Sequence, residues 1–239
     1  MNGLLQVGAV LLILGIGMAY SVRAGKLTEA GACTGGLLGV LIFLGARFTG
    51  LAMLGAFFLL GSTASSWKLP AKRRLGLAEE NKGRRTAAQA FANGGVAAIA
   101  SLCGWLYPAH ASIFQLMVAG SFAAATADTL SSELGNVYGR RYYDILTLRP
   151  GTRGVDGVVS VEGTALGLAG SVLMAGLYGL GFGFSLHCLW IVLAGAVGNL
   201  ADSVLGATLE RRHFLSNNAV NFLNTLVGAV TAALLRFLS

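Results

Sequence analysis

Charged residues are scarce in this chain. Only 11% of its 239 residues are Asp, Glu, Lys or Arg, whereas 55% are apolar. A soluble domain carries about a quarter charged residues, so this composition excludes a soluble globular domain and a nucleic-acid-binding protein. The composition instead fits a lipid bilayer, which a helix crosses with about 20 mostly apolar residues.

Cysteine and nucleotide-binding motifs are equally sparse. Cys33, Cys103 and Cys188 lie far apart within apolar runs, so the sequence predicts neither a disulfide framework nor a zinc site. The absence of a G-x-x-x-x-G-K-[ST] motif excludes a P-loop enzyme. The first apolar run has no basic residue before Arg23 and ends without a small-residue cleavage pattern, which predicts a retained helix rather than a signal peptide.

Apolar stretches account for nearly the whole chain. We therefore predict an all-α integral membrane protein, with residues 1–239 forming a single membrane domain of about eight transmembrane helices and a possible repeat of helix pairs. A re-entrant short segment is the alternative. Glycine pairs such as Gly35/Gly39 and Gly163/Gly167 predict close helix packing. The predicted segments are 4–20, 30–46, 48–66, 86–106, 112–138, 163–181, 186–209 and 216–237.

The basic residues indicate how the chain is oriented. If the segments alternate, 15 of the 17 Lys and Arg residues fall on one side of the membrane, and only Arg47 and Arg236 fall on the other. This bias predicts that residues 67–85 and 139–162 are cytoplasmic and that both termini are outside. We expect 67–85 to be a basic loop solvated near lipid headgroups, and 139–162, which contains a β-like run at 158–161, to be an ordered glycine-rich loop.

Acidic residues occur within or at the ends of the apolar segments, where a carboxylate costs a few kcal/mol. Each one is therefore a candidate functional group. The alternative is a structural ion pair with Arg140 or Arg211. The acids concerned are Asp128, Glu133, Glu162, Asp202 and Glu210.

Amide side chains follow the same helices. Gln89 and Asn93 are spaced i, i+4, and Asn217, Asn221 and Asn224 are spaced i, i+4, i+7, so each set lies on one helix face. At about 1.5 Å per residue, these amides and the aspartates lie within roughly 10–15 Å of the cytoplasmic ends of their segments. This one-sided distribution predicts a pocket that opens to the cytoplasm rather than a continuous ion pathway.

Two sequence fragments occur twice in similar form. "QAFANG" resembles "VNFLNT", and "TADTLSSELG" resembles "LADSVLGATLE". The repetition predicts two helix pairs, each carrying one Asp and one Asn, that face each other across a shared site. Carboxylates, amides, arginines and glycine-rich backbone are together suited to bind magnesium and phosphates.

Five motifs resemble a known family: "RRTAAQAFANGG", "ATADTLSSELG", "RPGTRGVDGVVSVEGTALG", "GNLADSVLGATLE" and "NNAVNFLNTLVGA". They are similar, in order, to the integral-membrane family that includes plant phytyl-phosphate kinase and animal transmembrane protein nineteen. The resemblance implies a CTP-dependent kinase that converts a prenyl monophosphate into the diphosphate. The segment from Asp128 through Gly135 to Gly139 is also similar to dolichol and phytol kinases, although Ser131 stands where their pattern has alanine.

This resemblance suggests a role for each candidate residue. Asp128, Glu133 and Asp202 would hold magnesium, and CTP would be the phosphoryl donor. Asn93, Asn221 and Asn224 would position the acceptor phosphate or the waters on the metal. The triphosphate would be held by the loop residues Arg140, Arg141, Gly151, Arg153 and Gly154. Besides nucleotide and membrane lipids, the expected partner is a prenyl phosphate of phytyl or geranylgeranyl type.

Two other functions use the same residues. An ion-coupled transporter would use the carboxylates as ion ligands, but it would also need polar groups in the outer half of the bundle. A CTP-dependent cytidylyltransferase acting on a lipid phosphate would share the metal and the nucleotide. It would release pyrophosphate and a CDP-lipid, whereas the kinase would release CDP and a lipid diphosphate.

The predicted topology can be tested by labelling single cysteines, introduced in 67–85 and in 139–162 of a cysteine-free variant, with a membrane-impermeant thiol reagent. We expect both loops to react only from the cytoplasmic side, because the basic residues favour that side. Labelling of either loop exclusively from outside would contradict the topology.

Overall fold

The computed structural model describes residues 3–77 and 83–237, and their secondary structure is almost entirely helical. A single short hairpin of strands β1 (Tyr142–Asp144) and β2 (Val158–Ser160) interrupts the helices. The fold confirms the prediction of an all-α membrane protein. The helices are α1 (Gly3–Arg23), α2 (Glu29–Ser66), α3 (Leu69–Arg74), α4 (Ala87–Leu106), α5 (Ala111–Tyr138), α6 (Val161–Phe182), α7 (Leu186–Leu205) and α8 (Asn217–Arg236).

Within the described residues, six stretches are long and apolar enough to cross a membrane. They confirm a multi-pass membrane protein. Helix α4 is not among the six, although its 20 residues match a predicted segment. The six stretches are Gly3–Arg23, Glu29–Ser66, Pro108–Tyr138, Val161–Phe182, Leu186–Glu210 and Asn217–Arg236.

Helix α2 is a helical hairpin. Arg47 has φ 53° and ψ −149°, which no α-helix contains, and the chain reverses at this residue. The reversal brings the two ends of α2 together, so that Lys26 Nζ donates to Ser66 Oγ at 3.0 Å. The two arms, 29–46 and 48–66, correspond to the second and third predicted segments. The long helices and the arms of α2 thus give the eight predicted segments.

Helix α5 is the centre of the bundle and packs against α2, α4, α6, α7 and α8. Its middle turns consist largely of alanine and glycine, and Phe122 and the three alanines at 123–125 are fully buried. Small side chains allow neighbouring helices to approach closely, which strengthens their van der Waals packing in a membrane. Several helices can therefore contact one central helix at the same depth.

Glycines of α6 form two of these close approaches. A Cβ atom on Gly163 would lie 2.7 Å from the carbonyl oxygen of Ser131, and one on Gly167 would lie 2.6 Å from that of Ala127. The predicted packing role of this glycine pair is confirmed. The same role is wrong for Gly35, because no atom lies within 4 Å of its Cβ position.

Replacing Gly167 by valine should separate α5 from α6. We expect a loss of about 1–3 kcal/mol of stability, because the new side chain would overlap the backbone of α5. Gly176 on the same helix is the matched control, since its Cβ position is open. Thermal unfolding in detergent would measure both variants, and equal stability of Gly167→Val and Gly176→Val would contradict the packing.

Candidate functional site

A polar cavity of about 390 Å³ lies where α4 and α8 begin and α5 and α7 end. Its volume is within the range of small-molecule sites, about 300–1,000 Å³. The cavity contains most of the polar residues that the sequence singled out, and it gathers them from both copies of the repeated motif. The predicted residues on its wall are Asn93, Asp128, Glu133, Gly154, Asp202 and Asn221.

The carboxyl groups of Asp128 and Asp202 both line this cavity and lie within hydrogen-bonding reach of each other. Asn224, which is fully buried, donates from Nδ2 to Asp202 Oδ1 at 3.4 Å. Glu133 and Glu210 add negative charge near Asp128. Several carboxylates at one buried point repel one another unless a proton or a cation is bound between them.

Two amide oxygens at the site have no hydrogen-bond partner among the described residues. Asn93 donates from Nδ2 to the carbonyl oxygen of Gln89 at 2.9 Å, while its Oδ1 is buried and unpaired. Oδ1 of Asn224 is likewise buried and unpaired. An unsatisfied buried acceptor is costly, and Oδ1 of Asn93, which lies on the cavity wall, is available to a bound ligand, a metal ion or one of its waters.

Glu133 has a cationic partner within the fold. The Nζ atom of Lys72 contacts Glu133 Oε2 and donates to the carbonyl oxygens of Ala64 and Ser65 at 2.8 and 3.4 Å. Lys72 is 1% exposed. The ion pair and these hydrogen bonds connect α3 and the end of α2 to α5. They favour a structural role for Glu133 over the predicted role of metal ligand.

The loop 139–160 contributes Tyr142 and residues 154–160 to the cavity wall. The hydroxyl group of Tyr142 donates to the carbonyl oxygens of Gly135 and Gly139, 3.0 Å from each. Burial raises the pKa of Tyr142 above its usual value, so the hydroxyl remains a donor at neutral pH. The antiparallel pairing of β1 with β2 then fixes the segment 154–160 on the cavity wall.

A second contact fastens this loop to the end of α7. Arg211 Nη1 donates to Asp144 Oδ2 at 3.0 Å, and Nη2 donates to the carbonyl oxygen of Asp156. The hydrogen bond from Arg211 lowers the pKa of Asp144, which is therefore charged at neutral pH. Gly157, with φ 74°, makes this possible, since a Cβ atom there would lie 2.7 Å from Cα of Ala207.

Most of the residues predicted to hold a triphosphate are not on the cavity wall. Arg140 and Arg141 are exposed. The N–H of Gly151 donates to the carbonyl oxygen of Tyr142 at 2.9 Å, so the hairpin already uses it. Arg153 lies 6.0 Å over the ring of Tyr142, outside the lining, although its buried Nε lacks a hydrogen-bond partner among the described residues.

The donor set fits magnesium better than zinc. Among residues 3–77 and 83–237, no group of three or more His, Cys, Asp and Glu side chains could hold a metal ion. Magnesium binds through one or two carboxylates, several waters and the phosphates of its substrate. The carboxylates of Asp128 and Asp202, which both line the cavity, meet that requirement.

Comparison with known proteins identifies the family. The model described as integral membrane protein DUF92 matches residues 11–229. The chain belongs to this family. This match confirms the family resemblance of the sequence. The matched range includes all the residues that line the cavity.

Relatives occur in a plant, a cyanobacterium and an archaeon. Protein VTE6, chloroplastic, of Arabidopsis thaliana is 32% identical over 221 residues, which are 88% of this chain and 65% of the relative. Uncharacterized membrane proteins of Synechocystis sp. and Methanocaldococcus jannaschii are 34% and 31% identical, over 82% and 98% of this chain and 77% and 96% of theirs. This chain thus spans less than two thirds of the VTE6 protein. No solved structure matches this chain.

Sequence reasoning missed two site residues of this DUF92 protein. Lys72 and Arg85, 1% and 8% exposed, are buried, so the expected solvated face near lipid headgroups is wrong at both positions. The remaining part of that loop includes residues 78–82, which lie outside the described residues. The sequence contained one signal for the position of Arg85. Thr86 and Gln89 form a capping box that starts α4, so Arg85 directly precedes a helix.

The buried pair of Lys72 and Glu133 can be tested by a double-mutant cycle. Glu133→Gln alone should cost about 3–5 kcal/mol of stability, because Lys72 would remain charged and buried. Lys72→Met with Glu133→Gln should recover much of that loss, since no buried charge remains. Chemical unfolding in detergent would measure the free energies, and additive effects of the two substitutions would contradict the pairing.

Proposed function

We propose that this protein is a membrane-embedded kinase that uses CTP to convert a prenyl monophosphate, of phytyl or geranylgeranyl type, into the diphosphate. The observation that carries the proposal is the facing pair Asp128 and Asp202, with unpaired amide oxygens beside it, in a polar cavity at one end of a membrane bundle. Family membership supports the proposal, because the resemblance of the sequence to the family that includes phytyl-phosphate kinase implies this activity.

Asp128 and Asp202 would hold a magnesium ion, and Asn224 would orient Asp202 through its hydrogen bond. When bound, the ion would neutralise the charge that the phosphates carry through the reaction. Few protein ligands are needed, because phosphate oxygens and water complete the coordination of magnesium. Glu133, paired with Lys72, would keep α5 in position rather than bind the ion itself.

The chemistry needs no protein nucleophile. An oxygen of the prenyl monophosphate forms the new bond to the γ-phosphorus of CTP. The bond from that phosphorus to the β–γ bridging oxygen breaks, and CDP leaves with the electron pair. The second pKa of a phosphate monoester is about 6, so the attacking oxygen is already deprotonated at neutral pH and no general base is required.

Amide groups on the cavity wall would orient the two substrates. Asn93 and Asn221 lie in the second turns of α4 and α8 and line the cavity, and their amide groups can donate hydrogen bonds to phosphate oxygens. The β-hairpin would contact the triphosphate, with the backbone N–H groups of Gly154 and Asp156 pointing to its oxygens, since that of Val155 already donates to the carbonyl oxygen of Thr152. Arg153, whose Nε is unpaired among the described residues, would turn its side chain from Tyr142 towards the nucleotide.

Replacing Asp128 or Asp202 by asparagine should abolish the reaction. We expect turnover to fall by at least about a hundredfold, because a negative charge is removed where a cation must bind. Glu29→Gln is the matched control, since it removes one acid at an exposed position of α2. The assay supplies magnesium, each nucleoside triphosphate in turn and geranylgeranyl phosphate, with mass spectrometry of both products.

The products separate the candidate functions. CDP with a prenyl diphosphate supports the kinase, whereas pyrophosphate with a CDP-lipid identifies a cytidylyltransferase. Near-normal turnover in both aspartate variants would contradict the proposed metal site. A transporter is not favoured by any observation in this fold, because the carboxylates and amides that the sequence predicted gather at one end of the bundle.

A further inference from the structure

A second cavity, of about 300 Å³, lies between α1, the two arms of α2 and the first half of α4. Its wall is almost entirely apolar. A cavity of this kind inside a membrane protein accommodates hydrocarbon, because no group on most of its wall can hydrogen-bond to a polar ligand. Typical lining residues are Leu14, Met18, Leu38, Leu54, Phe57 and Phe58.

The apolar and polar cavities adjoin each other at Arg85 and Gln89, which line both. The Gln89 side chain is fixed by the capping box, in which its Oε1 accepts from the backbone N–H of Thr86 at 2.9 Å. The backbone of Arg85 is also fixed, because its N–H donates to the carbonyl oxygen of Lys26 at 2.9 Å. The boundary is therefore a defined part of the fold.

A cation stands at this boundary. The guanidinium group of Arg85 lies 5.2 Å over the ring of Phe57, with which it makes a cation–π contact. The same group lies close to Gly61, where a Cβ atom would be 2.3 Å from Nη2, and Arg85 also lines the cavity of amides and carboxylates. A ligand that fills both cavities must combine an anionic head with an apolar chain.

We propose that the apolar cavity binds the prenyl chain of the substrate, with the phosphate head beside Arg85 in the polar cavity. This inference rests on the proposed function for the class of head group, and it adds where the chain lies. Arginine is suited to the contact because its planar guanidinium binds phosphate oxygens in pairs. The attacking phosphate would then enter the site from the side of α2 and α4.

Glycines create the space for the chain. Gly35 and Gly55, one on each arm of α2, line the apolar cavity, and no atom lies within 4 Å of either Cβ position. Larger residues there would fill the cavity without meeting the backbone. The outer wall is α1, which packs chiefly against α2 and has only Val10 and Ser21 buried. Several residues that line the cavity on α1 and α2 are more than half exposed, so the chain of a bilayer lipid can reach this cavity directly.

Photo-crosslinking of the full-length protein tests this placement. The probe is geranylgeranyl phosphate with a diazirine at the end of the chain, and labelled peptides are identified by mass spectrometry. We expect labels on α1, α2 and the start of α4. Gly55→Leu should reduce labelling about tenfold, because a branched side chain would occupy the space. Gly35→Leu is a second variant of the same kind, and Gly176→Leu is the control, since Gly176 is equally open but lies outside both cavities.

The outcomes distinguish the placement from the activity. Labels on α6 to α8, or equal labelling of wild type and both cavity variants, would overturn the inference. Equal labelling by phosphatidylcholine with the same diazirine would also overturn it, because the cavity would then hold ordinary bilayer lipid. Labels in the cavity without phosphate transfer from any nucleotide would leave this inference standing and reject the proposed kinase.

Discussion

The pair of Asp128 and Asp202 constrains the rest of this fold. A carboxylate costs a few kcal/mol within a membrane segment, and two facing each other cost more. They can coexist only where the remaining polar groups of the bundle are concentrated around them. The amides of α4 and α8 and the β-hairpin form that environment at one end of the bundle, and the other end can remain apolar.

Close helix packing brings the two aspartates together. A Cβ atom on Gly198 of α7 would lie 3.0 Å from Asn224 Oδ1, and one on Gly228 of α8 would lie 2.6 Å from the Cβ of Ala124. The small residues of α5 therefore allow α7 and α8 to approach the same turns of one helix. Larger side chains would move Asp202 and Asn224 away from Asp128, so the glycines contribute to the site without touching a ligand.

The two cavities differ in the chemistry that each can bind. One wall of the polar cavity is a hairpin that hydrogen bonds to the ends of α5 and α7, through Tyr142 and Arg211. One wall of the apolar cavity is α1, which makes few buried contacts. A firmly attached polar wall suits a charged nucleotide from water, and a lightly packed apolar wall suits a chain that arrives from the bilayer. Arg85 stands where the two ligands would meet.

The sequence by itself determined the class of the protein, the eight apolar segments and the helix faces that carry Asn93, Asp128, Asp202 and Asn221. Hydropathy and helical periodicity are local properties, and a bilayer permits few other arrangements. Only the tertiary structure determined which side chains contact one another and which are buried. Lys72 and Arg85 belong to a basic segment whose composition predicts a solvent-exposed surface, yet packing buries both. Likewise Gly35 has the spacing of a packing glycine but faces a cavity, and Arg153 is near the site without lining it. Such outcomes depend on which helices become neighbours, and residues far apart in the chain set that choice.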